Sequence, residues 1–277
     1  MYLLKIYYEN LHQEFRNILY GFKNKNFPFG LNKVGPKQQY LNLFEEAKKT
    51  KYDNIDSFES KIGYKIDNNW IDDLALHTQV VIKKSKICYV HGRILYSVLS
   101  KFINNKKYSN YNILETGTSR GFSSLCIAKA LDENNANGKI ITVDYLPHDK
   151  KFYWNCIDDS EGKRSRRELI SKWKNLCDKY IFFIEGYSKN ILKKIKFQRI
   201  HFAFLDASHT YTAIYNEFLY ISNFQKKDDI IIFDDYDNKS YTGLKIAIDE
   251  ICKKYNYTKE VITSSPNRSY VIATKNK

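Results

Sequence analysis

From residue 111 onward, short apolar runs alternate with stretches whose apolar residues recur every three or four positions. "YNILET" predicts a strand and "GFSSLCIAKAL" the helix after it, and "GKIITVD" predicts a second strand. "SRRELISKWKNLCDKY" predicts a helix before the strand "IFFIEG", and "SKNILKKI" a short helix before the strand "IHFAFLD". "TAIYNEFLYISNF" predicts a helix before "DDIIIFDDY", and "GLKIAIDEICKKY" the last helix. "KEVITS" and "RSYVIATK" close the chain as strands with no helix between them, so they can pair as a hairpin. Short apolar strands separated by helices are the pattern of a parallel α/β sheet covered on both faces, and the hairpin would add one antiparallel strand.

The first hundred or so residues carry a different rhythm. A short helical segment is expected around residues 10–20, then a loop at "NKNFPFGLNKVGPKQQY", which holds two of the four prolines. Helical spacing follows in "QQYLNLFEEAKKTKY", in residues 70–82 and in residues 92–103. The chain therefore divides into a helical extension, 1–108, and an α/β domain, 109–277. Within the domain, Leu146 to Arg167 is too long and polar for an ordinary strand-to-helix link, and an excursion over the ligand face is expected there.

Composition narrows the classes. With 277 residues, 43% hydrophobic and 16% aromatic, the chain can bury a sizeable core and is not a disordered one. No window reaches eighteen apolar residues, and the N-terminal stretch lacks the apolar core and cleavage site of a signal peptide. Five scattered cysteines without a CxxC pair argue against a disulfide framework or zinc ribbon and fit a reducing cytoplasm. The formal charge of +14 invites a nucleic-acid reading, but the lysines are spread along the chain, which favours a solvated basic surface. Oligomeric state stays open, a homo-oligomer included.

In an open parallel sheet, ligands sit at the carboxyl ends of the strands. Acids stand at four such ends, Glu115, Asp144, Asp206 and the pair Asp234–Asp235, with Glu185 near a fifth. The first turn reads E-x-G-x-x-x-G, "ETGTSRG", which is neither the dinucleotide fingerprint nor a P-loop. Its glycines admit a ligand close to the backbone, while Glu115 would repel a pyrophosphate and welcome an ammonium group. Asp144, 29 residues on, can accept hydrogen bonds from ribose hydroxyls. A nucleoside with an amino-acid tail suits both acids, and S-adenosylmethionine has that shape.

At "ILETGTSRG", "ITVD", "FAFLDASHTY" and "IIIFDDY" the chain resembles class I S-adenosylmethionine-dependent methyltransferases, most of all the metal-dependent macrolide-sugar O-methyltransferases and, more distantly, catechol O-methyltransferase. The resemblance covers about residues 85–277. It implies a Rossmann-like, seven-stranded, mostly parallel sheet with one antiparallel strand, helices on both faces and the N-terminal helical extension. It implies that Glu115, Thr116, Gly117, Ser119 and Gly121 meet the methionine part of the cofactor, that Asp144 holds the ribose, and that Gly186 to Ser188 lie by the adenine. It further implies a divalent cation, usually Mg²⁺, held by Asp206, Asp234 and Asp235, with Asp206 also at the cofactor.

Oxygen donors without cysteine suit magnesium on their own account. The alternative is that Asp234 and Asp235 only cap a strand exit. His209, three residues after Asp206, matches the family's general base, and an imidazole can take a proton from a metal-polarised hydroxyl. A helix-capping role or a metal-ligand role is the alternative for His209. His201, at the start of an apolar strand, reads as structural. Some relatives carry a basic acid two residues after the first metal aspartate, where this chain has Ser208, so His209 would have to substitute. The resulting expectation is a cytoplasmic O-methyltransferase acting on a hydroxyl of a sugar or small glycosylated molecule. Its rivals are an RNA or protein methyltransferase using the basic surface and a non-catalytic nucleoside-binding module.

Overall fold

The seven predicted strands form one sheet. They are β1 (Tyr111–Thr116), β2 (Gly138–Asp144), β3 (Ile181–Glu185), β4 (Phe202–Leu205), β5 (Ile230–Phe233), β6 (Tyr257–Ser265) and β7 (Arg268–Lys275). The computed structural model describes residues 27–236, 241–266 and 268–277, so the helix expected around residues 10–20 lies outside the described residues. The strand order is β3-β2-β1-β4-β5-β7-β6, with β1 to β5 parallel and β7 antiparallel to both β5 and β6. One strand alone is therefore inverted, as the terminal hairpin predicts. The order reverses between β1 and β4, which opens a crevice at their carboxyl ends.

Side-chain alternation along the strands feeds two layers. Ile113 joins Leu95 and Leu99 of α4 (His91–Lys106) and Leu125 of α5 (Phe122–Glu133) in one cluster. Leu114 joins Phe218 and Leu244 in the other. Ahead of α4 come α1 (Lys37–Lys49), α2 (Asp53–Ile62) and α3 (Asn68–Thr78). The hydrophobic pattern does not single out α2. It forms with Asp53 and Asp56 complementing its amino-terminal dipole and ends at Gly63, whose φ of 86° suits a helix stop. It docks on β6 through Asn54 to the Thr263 carbonyl, 3.2 Å.

The segment 165–180, expected as one helix, is three pieces: α6 (Arg166–Leu169), a 3₁₀ turn (Ser171–Trp173) and α7 (Lys174–Tyr180). Ser165 and Glu168 close a capping box over α6, and the chain leaves helical geometry at Ile170, with φ −102° and ψ 17°. Apolar spacing is the same for a continuous helix and for this broken one, so the pattern could not separate them. The remaining helices are α8 (Ser188–Ile191), α9 (Tyr211–Ser222) and α10 (Thr242–Lys254).

The 146–167 excursion is folded, and its Phe152, Trp154 and Cys156 join the same cluster as Ile113. Phe152 and Arg164 exchange backbone hydrogen bonds at 3.1 Å, enclosing the fully buried Trp154. The excursion is tied to the N-terminal layer. Asn155 takes hydrogen bonds from the Tyr40 hydroxyl and the Ile82 amide, both 3.1 Å, and His77 Nδ1 lies 2.7 Å from Asp158. Among the described residues no helix is long and apolar enough to cross a membrane.

Candidate active site

The glycine turn leaves β1 at Thr116. Gly117 has φ 93°, and a Cβ there would lie 2.4 Å from the Asp206 carbonyl oxygen. Glycine at this position lets the exits of β1 and β4 touch backbone to backbone. The Asp206 amide also donates to the Thr116 carbonyl at 2.9 Å. Ser119 follows in a left-handed conformation, φ 47°, and its N–H donates to Asp144 Oδ2 at 2.5 Å. Asp144 Oδ1 accepts from the Leu146 amide at 2.7 Å, so two backbone amides fix that carboxylate at the end of β2. Gly121, φ 90°, begins α5.

A cavity of about 520 Å³ opens over these groups, of a size that suits a nucleoside-sized ligand. Gly117, Ser119, Asp144, Gly186, Ser188 and Asp206 lie on its wall. Three predicted cofactor residues do not, one of them Gly121 at the start of α5. Glu115 is sealed under the turn, where it accepts hydrogen bonds from the Ser124 hydroxyl and from Thr142, and burial pushes its pKa up. Thr116 is equally buried and donates to Glu217 at 2.9 Å. Both support the turn from below. Across the opening, Tyr145 and Tyr187 stack at 5.9 Å between ring centres and stay largely exposed.

Glu217 was not singled out from the sequence, although its place on the apolar stripe of α9, with Ile214, Phe218 and Ile221, marks it. Burial raises its pKa to about 7, with hydrogen bonds from Ser188 and Thr116 pulling the other way. A folded-state value above the ordinary carboxylate value means that the folded protein binds the extra proton between the two. Stability from this group therefore falls as pH rises from about 4.5 to about 7, by about 3 kcal/mol. Glu217→Gln is expected to flatten that decline, gaining on the wild type in melting temperature between pH 5 and pH 8. Parallel melting curves across that range would show that Glu217 carries no such penalty.

At the other end of the cavity stand Asp206 and His209, with Asp235 beside them. Asp206, His209 and Asp235 each offer one donor atom, and these atoms lie within 4.8 Å of one another, the one such group among the described residues. His209 Nε2 is 3.6 Å from Asp235 Oδ2, and its ring lies 4.4 Å from that of Tyr241. Burial and the charges of Asp234 and Asp235 hold the Asp206 pKa well above the carboxylate range. Asp234 stands apart from this group. It is buried, its Oδ2 pairs with Arg268 at 2.7 Å, and its Oδ1 accepts the Asp235 amide at 2.6 Å. Burial raises its pKa, but Arg268 outweighs it and the net shift is downward. Asp235 turns the other way, at φ 53°, with Arg268 Nε 3.5 Å from its Oδ1. The two carboxylates, with open positions around them, suit a divalent cation that keeps water or substrate oxygens, and the His209 imidazole stands beside that place.

Of the other histidines, His91 is buried beside Phe122 and Phe204, with its pKa pushed down to about 3 by burial. His201 lies at the opposite end of β4, accepting the Asn112 amide at 3.0 Å. A larger cavity, about 710 Å³, lies between β3 and residues 147–150 of the excursion. Its rim cations Arg167 and Lys174 are each paired with an acid, Asp149 and Asp178, at 2.9 Å.

The β1–β4 crevice, the glycine turn and the strand-end acids coincide with a sequence match: residues 114–236 match the family described as a methyltransferase domain. Over residues 114–236 the chain is similar to a methyltransferase domain. Compared by sequence with curated proteins, the chain matches none. Its fold is similar to that of an O-methyltransferase from Bacillus cereus solved with SAH, at 16% identity and TM-score 0.53, covering 76% of this chain and 92% of the other. It is also similar to the O-methyltransferase TomG from Streptomyces achromogenes, involved in tomaymycin synthesis and solved with SAM, at 14% identity, TM-score 0.52 and coverage of 77% and 92%. The O-methyltransferase NovP matches at 15% identity and TM-score 0.53, covering 87% of this chain and all of NovP.

Proposed function

We propose that the chain transfers a methyl group to a hydroxyl oxygen of a sugar or small glycosylated molecule, with the aid of a divalent cation. The observation that carries the reading is the convergence of Asp206, His209 and Asp235 at the end of the cavity that begins at the glycine turn. Ser119, Asp144 and Gly186 to Ser188 would hold the methyl donor, whose sulfonium supplies an activated methyl group. Asp206 and Asp235 would hold the cation, Mg²⁺ or another divalent ion, which lowers the pKa of a hydroxyl it meets. His209 would take the proton from the acceptor hydroxyl, and Asp235, 3.6 Å away, would stabilise the resulting imidazolium. The rest of the site contributes position and exclusion of water.

A small acceptor is favoured over RNA because several lysines of the basic surface are already paired. Lys245 and Lys259 both meet Asp249, Lys172 meets Asp73, and Lys179 meets Asp132. The solved fold neighbour TomG, an enzyme of tomaymycin synthesis, agrees with a small-molecule acceptor.

The test measures SAH binding by calorimetry with and without Mg²⁺ or Mn²⁺, and methyl transfer to a panel of glycosides by mass spectrometry. His209→Ala is expected to lower turnover by about 10²- to 10⁴-fold with Mn²⁺ affinity unchanged. A matching loss of Mn²⁺ affinity would make His209 a ligand instead of the base. Metal-indifferent SAH binding with no transfer to any hydroxyl would leave a nucleoside-binding module.

A further inference from the structure

We propose that Arg166, in the excursion, is the positioning residue that sets the methyl-donor turn by holding Ser119 in its left-handed conformation. This inference rests on the cofactor reading above. Ser119 adopts φ 47°, a region that residues with a Cβ visit rarely and glycine visits freely. Both ends of this residue are held by side chains. Its N–H donates to Asp144 Oδ2 at 2.5 Å, and its carbonyl accepts from Arg166 Nε at 2.7 Å. The same guanidinium donates through Nη2 to the Leu146 carbonyl at 3.3 Å and lies 3.7 Å from Asp144 Oδ2. One planar fork thus spans the glycine turn and the exit of β2, the two places that flank the donor cavity.

Arg166 is itself 2% exposed, and its guanidinium lies 5.7 Å from the ring centre of Trp154. The turn returns the contact. Arg120, next to Ser119, donates through Nε to the Trp154 carbonyl at 2.8 Å and covers the Phe29 ring at 4.4 Å. A buried arginine from each side therefore grips the other's backbone. Because Asn155 and Asp158 of the excursion are anchored to Tyr40, Ile82 and His77, the N-terminal layer is linked through Arg166 to the shape of the donor turn.

The experiment measures SAH affinity by calorimetry on the full chain for wild type, Arg166→Gln, Arg166→Lys, Ser119→Gly and the double variant Arg166→Gln/Ser119→Gly, with a thermal melt of each. Arg166→Gln is expected to weaken SAH binding by at least about tenfold, and Arg166→Lys by less. Ser119→Gly in the Arg166→Gln background is expected to recover most of the loss, since glycine reaches the left-handed region unaided. A purely structural role for Arg166 would not be rescued at Ser119. Wild-type affinity in Arg166→Gln would overturn the inference, and so would a loss that Ser119→Gly fails to restore. Should Arg166→Gln not fold, Arg166→Lys with and without Ser119→Gly decides by the same two criteria. A wild-type chain that does not bind SAH would instead sink the cofactor reading, and this inference with it.

Discussion

Asp206→Asn is expected to lower methyl transfer by about 10³-fold while SAH affinity changes little. The side chain sits at the β4 exit, and its backbone is fixed by the hydrogen bond from its N–H to the Thr116 carbonyl and by contact with Gly117. Removing its charge therefore alters the electrostatics of the site without moving the donor turn. Burial, and after it the crowding of like charges from Asp234 and Asp235, raises the pKa of Asp206. A cation relieves that crowding, so Mn²⁺ affinity in Asp206→Asn should fall together with turnover. Steady-state kinetics and Mn²⁺ titration followed by electron paramagnetic resonance check both. Full activity in Asp206→Asn would remove the aspartate from the chemistry and undermine the metal reading.

Arg268→Met is expected to produce the largest loss of stability, about 3–5 kcal/mol. Its partner Asp234 is fully buried, and the ion pair at 2.7 Å supplies its compensating charge. Truncating the guanidinium leaves a carboxylate with no counter-ion inside the protein, which costs far more than the pair contributes. The double variant Arg268→Met/Asp234→Asn should recover much of the loss, and the coupling between the two sites is read from a denaturant double-mutant cycle. Additive single effects would mean that the pair is incidental. Asp234→Asn alone is thus expected to act through stability, in contrast to Asp206→Asn, which acts through turnover.

These two residues also show how far the sequence reaches. The sheet was legible because each strand is a short apolar run ended by an acid or a turn, and the terminal hairpin fixed the one inverted strand. The acids at the strand ends were legible for the same reason. Their division of labour was less so. Asp234 and Asp235 are neighbours, and a period-two strand sends neighbours to opposite faces. Both lie past the end of β5, where that alternation no longer applies, and it is the positive φ of Asp235 and the partner Arg268 that separate them. Arg268 lies on β7, so its approach depends on the pairing of β7 with β5, which no local pattern specifies. Glu115 followed another logic: a burial pattern cannot say whether an acid before a glycine turn faces a ligand or lies beneath it. Arg120 and Arg166 were illegible because buried arginines look like solvated ones in composition. The capping pair Ser165 and Glu168 would have placed Arg166 at a helix start, without showing what it reaches.

The contact of Gly117 with the Asp206 backbone makes a seam between the two halves of the pocket. The donor side and the acceptor side share that seam with no slack, so a bulkier residue at 117 would disturb the Michaelis constants of both substrates together. Adaptation to new acceptors is thereby steered away from the strand exits and toward the excursion and the helical layer, where the chain can change length without displacing the sulfonium from its line of attack.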